Sequence, residues 1–156
     1  MYPTMIRSLF LLGLTCLLMA PGIARAGKCN ITSTPISFGT YDPFSATTTS
    51  GTGTINVRCN PPKETFLVTI QVNTGNSGTF SQRNMLSASG DELLYNIFSS
   101  PGGMSVIGDG NSGSISLTQQ VDRTTPWNLT LFGIIPAGQN VAPGVYTDTL
   151  TATILW

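Results

Sequence analysis

The strongest constraint on the fold of this sequence is period-two alternation, which is clearest in VYTDTLTATIL (145–155) and the Trp that follows. Threonines stand between apolar or aromatic residues. This pattern is typical of a β-strand with one buried and one solvated face, and β-branched and aromatic residues favour that setting. We therefore predict a strand over 145–156. Its apolar set is Tyr146, Leu150, Ala152, Ile154 and Trp156.

The same alternation recurs through residues 27–156, where no helical periodicity is visible. In TINVRC, for example, Ile55, Val57 and Cys59 fall on one face and polar residues fall on the other. Short strands separated by turns every roughly 8–12 residues are typical of an antiparallel sandwich of immunoglobulin type. We predict the other strands at 54–59, 66–72, 93–98, 114–121 and 127–135.

The segment 31–53 gives a weaker strand signal and runs into a stretch rich in Thr, Ser and Gly. Pro35 lies within it and has no backbone N–H to contribute to a ladder. We therefore predict that this segment is an edge strand or a bulged strand. The sequence shows no internal repeat and no sign of a second domain.

A secretory signal peptide is predicted at residues 1–26, with cleavage after Ala26. The segment combines Arg7, the apolar run 8–20 and the small residues of a cleavage site in ARA. The run is shorter than the roughly 20 residues that span a membrane. An uncleaved anchor is the main alternative, and lipidation at Cys16 is a weaker one.

The predicted mature domain, residues 27–156, carries five basic and seven acidic side chains, a net charge of about −2. Nucleic-acid binding would need clustered Lys and Arg facing phosphates, and the sequence has no such cluster. Charged residues are scarce and Thr, Ser, Gly and Asn are abundant. This composition favours close packing with other proteins over charge-steered encounter.

Two cysteines remain after the leader, Cys29 and Cys59. An even number of cysteines in a secreted domain indicates a disulfide formed in an oxidising compartment. The alternative is a pair of free thiols at a metal or redox site. That would need more ligands or a C-x-x-C motif, and the sequence has neither.

Catalysis is not predicted, and neither is a cofactor or a metal. The sequence contains no histidine, the commonest general base and metal ligand. Asp91 and Glu92 are the only adjacent carboxylates and are expected in a solvated turn. DGNSG (109–113) begins like a calcium loop, but Gly113 and Gln120 stand where that loop needs ligands.

Several aromatic residues fit two interpretations. They fill the core of a β-sandwich more often than they line a carbohydrate site, so we predict core positions and leave the second reading open. The residues are Tyr95, Phe98, Trp127, Phe132 and Tyr146.

Four stretches together resemble the spore coat protein U domain family, which includes subunits of archaic chaperone–usher pili. They are residues 29–60, LLYNIFS (93–99), GDG (108–110) and residues 133–156. Within them stand a cysteine near the mature start, a second cysteine at a strand end, and PAGQ followed by PGVYTDTL. The resemblance spans nearly all of the predicted mature chain.

That resemblance implies an immunoglobulin-like sandwich that lacks its final strand and is completed by donor-strand complementation, a form of β-strand addition. It implies three partners: a PapD-like periplasmic chaperone, an outer-membrane usher and other pilus subunits. It also implies transit through the periplasm to a surface fibre that works in adhesion and biofilm formation. The groove for the donor strand would be formed by Tyr146, Leu150, Ala152, Ile154 and Trp156.

A subunit that polymerises must also donate a strand from a segment ahead of its first cysteine. Only Gly27 and Lys28 separate the predicted cleavage site from Cys29. We therefore expect a subunit that accepts a strand without giving one, at a fibre end or as a minor component. The alternatives are a self-sufficient secreted coat protein and a tip adhesin that binds carbohydrate through its loops, with an enzyme the least favoured.

Overall fold

The computed structural model describes residues 28–60 and 65–156, without the side chain of Phe66. The predicted signal peptide and Gly27 lie outside the described residues. Within the described residues, the regular structure consists of eight strands and one 3-10 turn, Gly75–Ser77. Among the described residues, no helix has the length and apolar character needed to cross a membrane. The strands are β1 (Lys28–Ser37), β2 (Thr49–Asn60), β3 (Phe66–Val72), β4 (Arg83–Leu86), β5 (Glu92–Phe98), β6 (Leu117–Val121), β7 (Trp127–Ile135) and β8 (Ala152–Leu155).

The strands form two antiparallel sheets. The larger sheet has the order β1-β2-β7-β5-β4, and the smaller has the order β6-β3-β8. Alternate residues of both sheets meet in one core, because side chains of a strand point to opposite faces in turn. Ile55, Val57, Ile97 and Ile135 come from the larger sheet and Ile70 from the smaller, each at most 2% exposed. The predicted all-β sandwich is confirmed.

β1 is the outer strand of the larger sheet and is irregular near Pro35, as its sequence predicts. It pairs with β2 from Lys28↔Asn60 to Thr34↔Thr54, and the register shifts before Ser37. At its start Cys29 lies opposite Cys59, and the two form the predicted disulfide. After the shift Ser37 still pairs with Thr52, and Ile36 and Phe38 on either side of it pack against the core.

Beyond the register shift, the chain lies against three glycines on the inner face of the larger sheet, Gly51, Gly53 and Gly133. A Cβ at Gly51 would lie 2.3 Å from the backbone oxygen of Ser37, and one at Gly133 would lie 2.5 Å from the Phe38 ring. Glycine in a strand often marks such an approach of other chain segments. We call these three residues the glycine floor.

The C-terminal strand is shorter than predicted, so the prediction of a strand over 145–156 is wrong in its first half. Only Ala152–Leu155 is strand, paired with β3 from Val72↔Ala152 to Thr69↔Leu155. Upstream, Thr147 exchanges two backbone hydrogen bonds with Leu86 of β4, at 2.9 and 3.0 Å. The segment 147–155 therefore bonds first to the end of β4 and then to β3, so it does not form one continuous strand.

Candidate functional site

An open groove runs between the end of β1 and the segment that leads into β8. It consists of two cavities of about 620 and 520 Å³. Both cavities are lined by Ile36, Phe38, Met85 and Tyr146, so they adjoin each other. The groove lies where the smaller sheet, with three strands, leaves part of the inner face of the larger sheet uncovered.

The floor of the groove is apolar and comes from four strands of the larger sheet. Its residues are buried in the core, with at most 7% of each side chain exposed. A large apolar side chain placed in the groove would therefore meet hydrocarbon and little water. The floor residues are Ile55, Met85, Leu93, Tyr95, Leu131 and Ile135.

One wall of the groove is the end of β1, and the other is residues 141–150 together with Ala152 at the start of β8. β1 pairs with β2 on one side, and β8 pairs with β3 on one side. Within residues 28–60 and 65–156, neither strand has a ladder partner on its other side. Edge strands expose rows of backbone N–H and C=O groups that can template pairing with another chain. The groove thus combines apolar pockets with backbone hydrogen-bonding groups, the two things that an added strand requires.

Side chains hold the wall segment in place where the ladder does not. Asp148 accepts hydrogen bonds from the Tyr95 hydroxyl at 2.7 Å and from the backbone N–H of Asn76 at 3.0 Å. Asn73 donates its backbone N–H to the carbonyl of Thr151, and its side-chain oxygen accepts the N–H of Thr151. The wall is therefore fixed before any partner arrives.

A fully buried arginine, Arg83, bonds to the carbonyl of Asn73, away from the lining of the groove. The guanidinium of Arg83 donates to the backbone oxygens of Asn73 and Ile107 at 2.8 Å and to the side-chain oxygen of Asn96 at 2.7 Å. Its carbon also lies 5.4 Å from the centre of the Phe80 ring. A buried charge is tolerated only when it is paired or hydrogen-bonded, and this network meets that condition.

Burial sets the protonation of Arg83 and Tyr95. It lowers the pKa of the Arg83 guanidinium, while Tyr95 and Asp148 act in the opposite direction. Burial also raises the pKa of the Tyr95 phenol well above its ordinary value, and the hydrogen bond to Asp148 acts in the same direction. The hydroxyl of Tyr95 therefore stays protonated and donates to Asp148 at any physiological pH.

The five residues predicted to form the groove occupy three different kinds of position in the structure. Tyr146, Leu150 and Ala152 line the groove. Ile154 lies opposite Ile70 and packs against the core beyond the groove. Trp156 follows the last strand with 58% of its side chain exposed. Contact of any of these residues with a partner stays a prediction.

The aromatic residues also divide. Tyr95 and Trp127 are buried in the core, as predicted. The prediction of core positions is wrong for Phe98 and Phe132, which lie opposite each other on the outer face of the larger sheet and are half-buried. Tyr146 lines the groove, where its hydroxyl donates to the carbonyl of Ala142 at 2.7 Å.

Sequence reasoning missed Ile36, Phe38 and Met85, which border both cavities. The pair Gly51 and Gly53 carried a usable signal, because glycines at alternate positions of a predicted strand leave one face without side chains. Arg83 gave no local signal, since its short strand is not predicted from the sequence. In the part of the chain that the structure describes, no three His, Cys, Asp or Glu side chains could hold a metal ion together.

The two antiparallel sheets with the groove between them define an immunoglobulin-like sandwich. Comparison with known proteins gives the family. The Spore Coat Protein U domain model matches residues 15–153, so the chain belongs to that family. Protein U of Myxococcus xanthus is 30% identical over 142 residues, which cover 82% of this chain and 77% of that protein.

Two solved structures share the fold. One is the CsuC–CsuE chaperone–tip adhesion subunit pre-assembly complex from archaic chaperone–usher Csu pili of Acinetobacter baumannii, with a TM-score of 0.55 and 19% identity over 84% of this chain. The other is a chaperone–tip adhesin complex of CFA/I fimbriae biogenesis, with a TM-score of 0.52 and 14% identity over 80%. This chain spans 40% and 41% of those two chains.

Proposed function

We propose that this chain is a structural subunit of a chaperone–usher surface pilus. It accepts an extended strand, first from a periplasmic chaperone and later from a neighbouring subunit. The observation that carries the proposal is the apolar groove between the edge strand β1 and the segment that leads into β8. The family and the chaperone–subunit complexes of the same fold support it. The role needs no catalytic residue.

The energy available in the groove makes dependence on a partner reasonable. Burying one large apolar side chain contributes about 1.5–3 kcal/mol. A strand that places three or four of them on the groove floor would contribute roughly 5–12 kcal/mol, which is comparable to the whole stability of a small domain. The free subunit should therefore be marginally stable and prone to pair through its edges.

The test is secretion of the full chain with and without its periplasmic chaperone. We expect soluble protein and a stable complex with the chaperone, and aggregated or degraded protein without it. Leu150→Asp places a charge in the groove and should abolish the complex. Thr130→Asp is the matched control, because Thr130 is exposed on the outer face of the larger sheet.

A different result would contradict the proposal. If the chain without a chaperone is a soluble monomer, and hydrogen exchange shows protected amides along the free edges of β1 and β8, the groove needs no partner. That outcome would favour the second candidate, a self-sufficient secreted coat protein. The description of the matching family, Spore Coat Protein U domain, favours this alternative.

We also propose a place for the subunit in the fibre, on the sequence evidence alone. If the leader is removed after Ala26, the two residues before Cys29 are too few to act as a donor strand. The subunit would then accept a strand without giving one, at a fibre end or as a minor component of an adhesive fibre. N-terminal sequencing of the mature protein tests this, and a start upstream of residue 20 would contradict it.

A further inference from the structure

The groove is not uniform along its length, because the ring of Phe38 lies at its middle. Phe38 borders both cavities and meets Tyr95 edge to face, with ring centres 5.8 Å apart and planes 72° apart. The cavity on one side reaches Pro43 and Val141, and the cavity on the other side reaches Leu150 and Ala152. The two cavities therefore meet at this ring.

The ring is held in place from several directions. It rests on Gly133, where a Cβ would come within 2.5 Å of it. Its neighbour Tyr95 is 4% exposed and is fixed by the hydrogen bond to Asp148. Two residues before it, Ile36 packs on Gly53, where a Cβ would lie 2.7 Å from its side chain. The ring cannot sink further into the core to make room.

We infer that Phe38 determines which strands the groove accepts. The preferred partner is an extended segment with two groups of large apolar side chains, separated by one small residue that lies over the Phe38 ring. This inference rests on the proposed function. Groove-facing side chains of a strand recur every two residues, about 6.6 Å apart, so some groove-facing side chain must lie near the ring. A large side chain there would overpack the groove.

Synthetic peptides provide the test. The parent is an eleven-residue peptide of alternating Leu and Thr with a lysine at each end for solubility. In a set of derivatives, glycine replaces one groove-facing Leu at a time. Their dissociation constants are measured on the full chain by competition against the fluorescently labelled parent. At one internal position, we expect the derivative with glycine to bind about tenfold more tightly than the parent peptide. Derivatives with glycine at any other groove-facing position should bind more weakly than the parent.

Variants of the protein then assign the effect to the ring. In Phe38→Ala the preference for glycine at that position should disappear, and the parent should bind at least as tightly as the derivative. Phe38→Leu keeps an apolar side chain without the ring and serves if the alanine variant does not fold. Phe132→Ala is the matched control on the outer face of the sheet and should leave the preference unchanged.

The outcomes separate the two proposals. If peptides bind but no position prefers glycine, or if the preference survives in both Phe38 variants, the role of Phe38 is wrong while strand acceptance stands. If no peptide binds and none raises the melting temperature of the chain, the groove does not accept a strand. In that case the proposed function fails together with this inference.

Discussion

The two long sides of the sandwich are built differently. On the closed side, Ile107 and Gly108 connect the two sheets through backbone hydrogen bonds. The N–H of Ile107 donates to the carbonyl of Ile97 in the larger sheet, and the carbonyl of Gly108 accepts the N–H of Val72 in the smaller sheet. On the open side, β1 and the approach to β8 face each other across the groove. There, side chains such as Asp148 and a disulfide hold the edges in place.

This difference shows two ways of managing the edge of a sheet. The closed side satisfies its backbone groups within the chain and supports its connection with the buried Arg83, which also binds the oxygen of Ile107. On the open side, β1 and β8 each have a ladder partner on one side only, within the residues that the structure describes. Stability on the closed side should therefore be independent of a partner, whereas stability on the open side should depend on one.

Replacing Arg83 should have the largest effect and would test the independence of the closed side. Arg83→Met leaves the carbonyl oxygens of Asn73 and Ile107 without their donor, while the side-chain oxygen of Asn96 keeps the N–H of Ile97. Each unsatisfied buried acceptor costs about 1–3 kcal/mol. We expect a loss of about 4 kcal/mol or more in the free energy of unfolding, measured in denaturant. Arg58→Met, at an exposed position, is the control. Full recovery on adding a strand peptide would show that the two sides are not independent.

Removing the disulfide should have the next largest effect, on the open side. In Cys29→Ser with Cys59→Ser, the unfolded chain regains the freedom of a loop of about 30 residues, which corresponds to about 3–4 kcal/mol in the chain-entropy model. Thermal unfolding of the oxidised protein and the double variant measures the loss. Because β1 would gain a second ladder neighbour, a bound strand should recover part of it. A loss unchanged by the peptide would contradict the link between β1 and the groove.

A smaller effect is expected at Tyr95, which connects the core to the groove wall. The raised pKa means that native Tyr95 stays protonated while the unfolded phenol, with a pKa of about 10, loses its proton. Its contribution is therefore fully present below pH 10 and is lost as pH rises further. Tyr95→Phe should cost about 1 kcal/mol at neutral pH. The free energy of unfolding of Tyr95→Phe, measured from pH 8 to 11, should fall less steeply with rising pH than that of the wild type. An equal slope would contradict the role of the Tyr95 phenol in the alkaline loss of stability.

The smallest effect is expected at Thr54, which is exposed on the outer face of the larger sheet. The hydroxyls of Thr34 and Thr54 lie 2.9 Å apart on adjacent strands, exposed to water. Thr54→Val should change the free energy of unfolding by less than about 0.5 kcal/mol, as is usual for surface substitutions. Chemical denaturation provides the value. A larger loss would mean that the exposed ladder contributes more than the comparison of the two sides assumes.

The fold could be predicted from the sequence where alternation is local. β2, β3, β5 and β7 follow the inward and outward positions of their own residues, and Pro35 correctly indicates an irregular edge strand. The acceptor groove could be predicted only in part. Leu150 and Ala152 belong to the alternating pattern and do line the groove.

The rest of the site depends on contacts between residues far apart in the sequence. The alternation at 145–151 predicts a strand, but Thr147 bonds to Leu86, some 60 residues earlier, and Asp148 bonds to Tyr95. Arg83 reads as a surface charge because nothing nearby in the sequence shows that Asn73, Asn96 and Ile107 converge on it. Such long-range polar networks leave no periodic trace.

The glycine floor has a consequence for redesigning the groove of this protein. At Gly51 even a methyl group is blocked by the backbone oxygen of Ser37, a neighbour that cannot rotate away. At Gly133 the obstacle is the side chain of Phe38. A larger residue at Gly133 combined with a smaller residue at Phe38 would therefore change the shape of the groove. The backbone hydrogen-bonding groups of β1 and β8 would stay the same, so the variant and the natural protein could be made to prefer different strands.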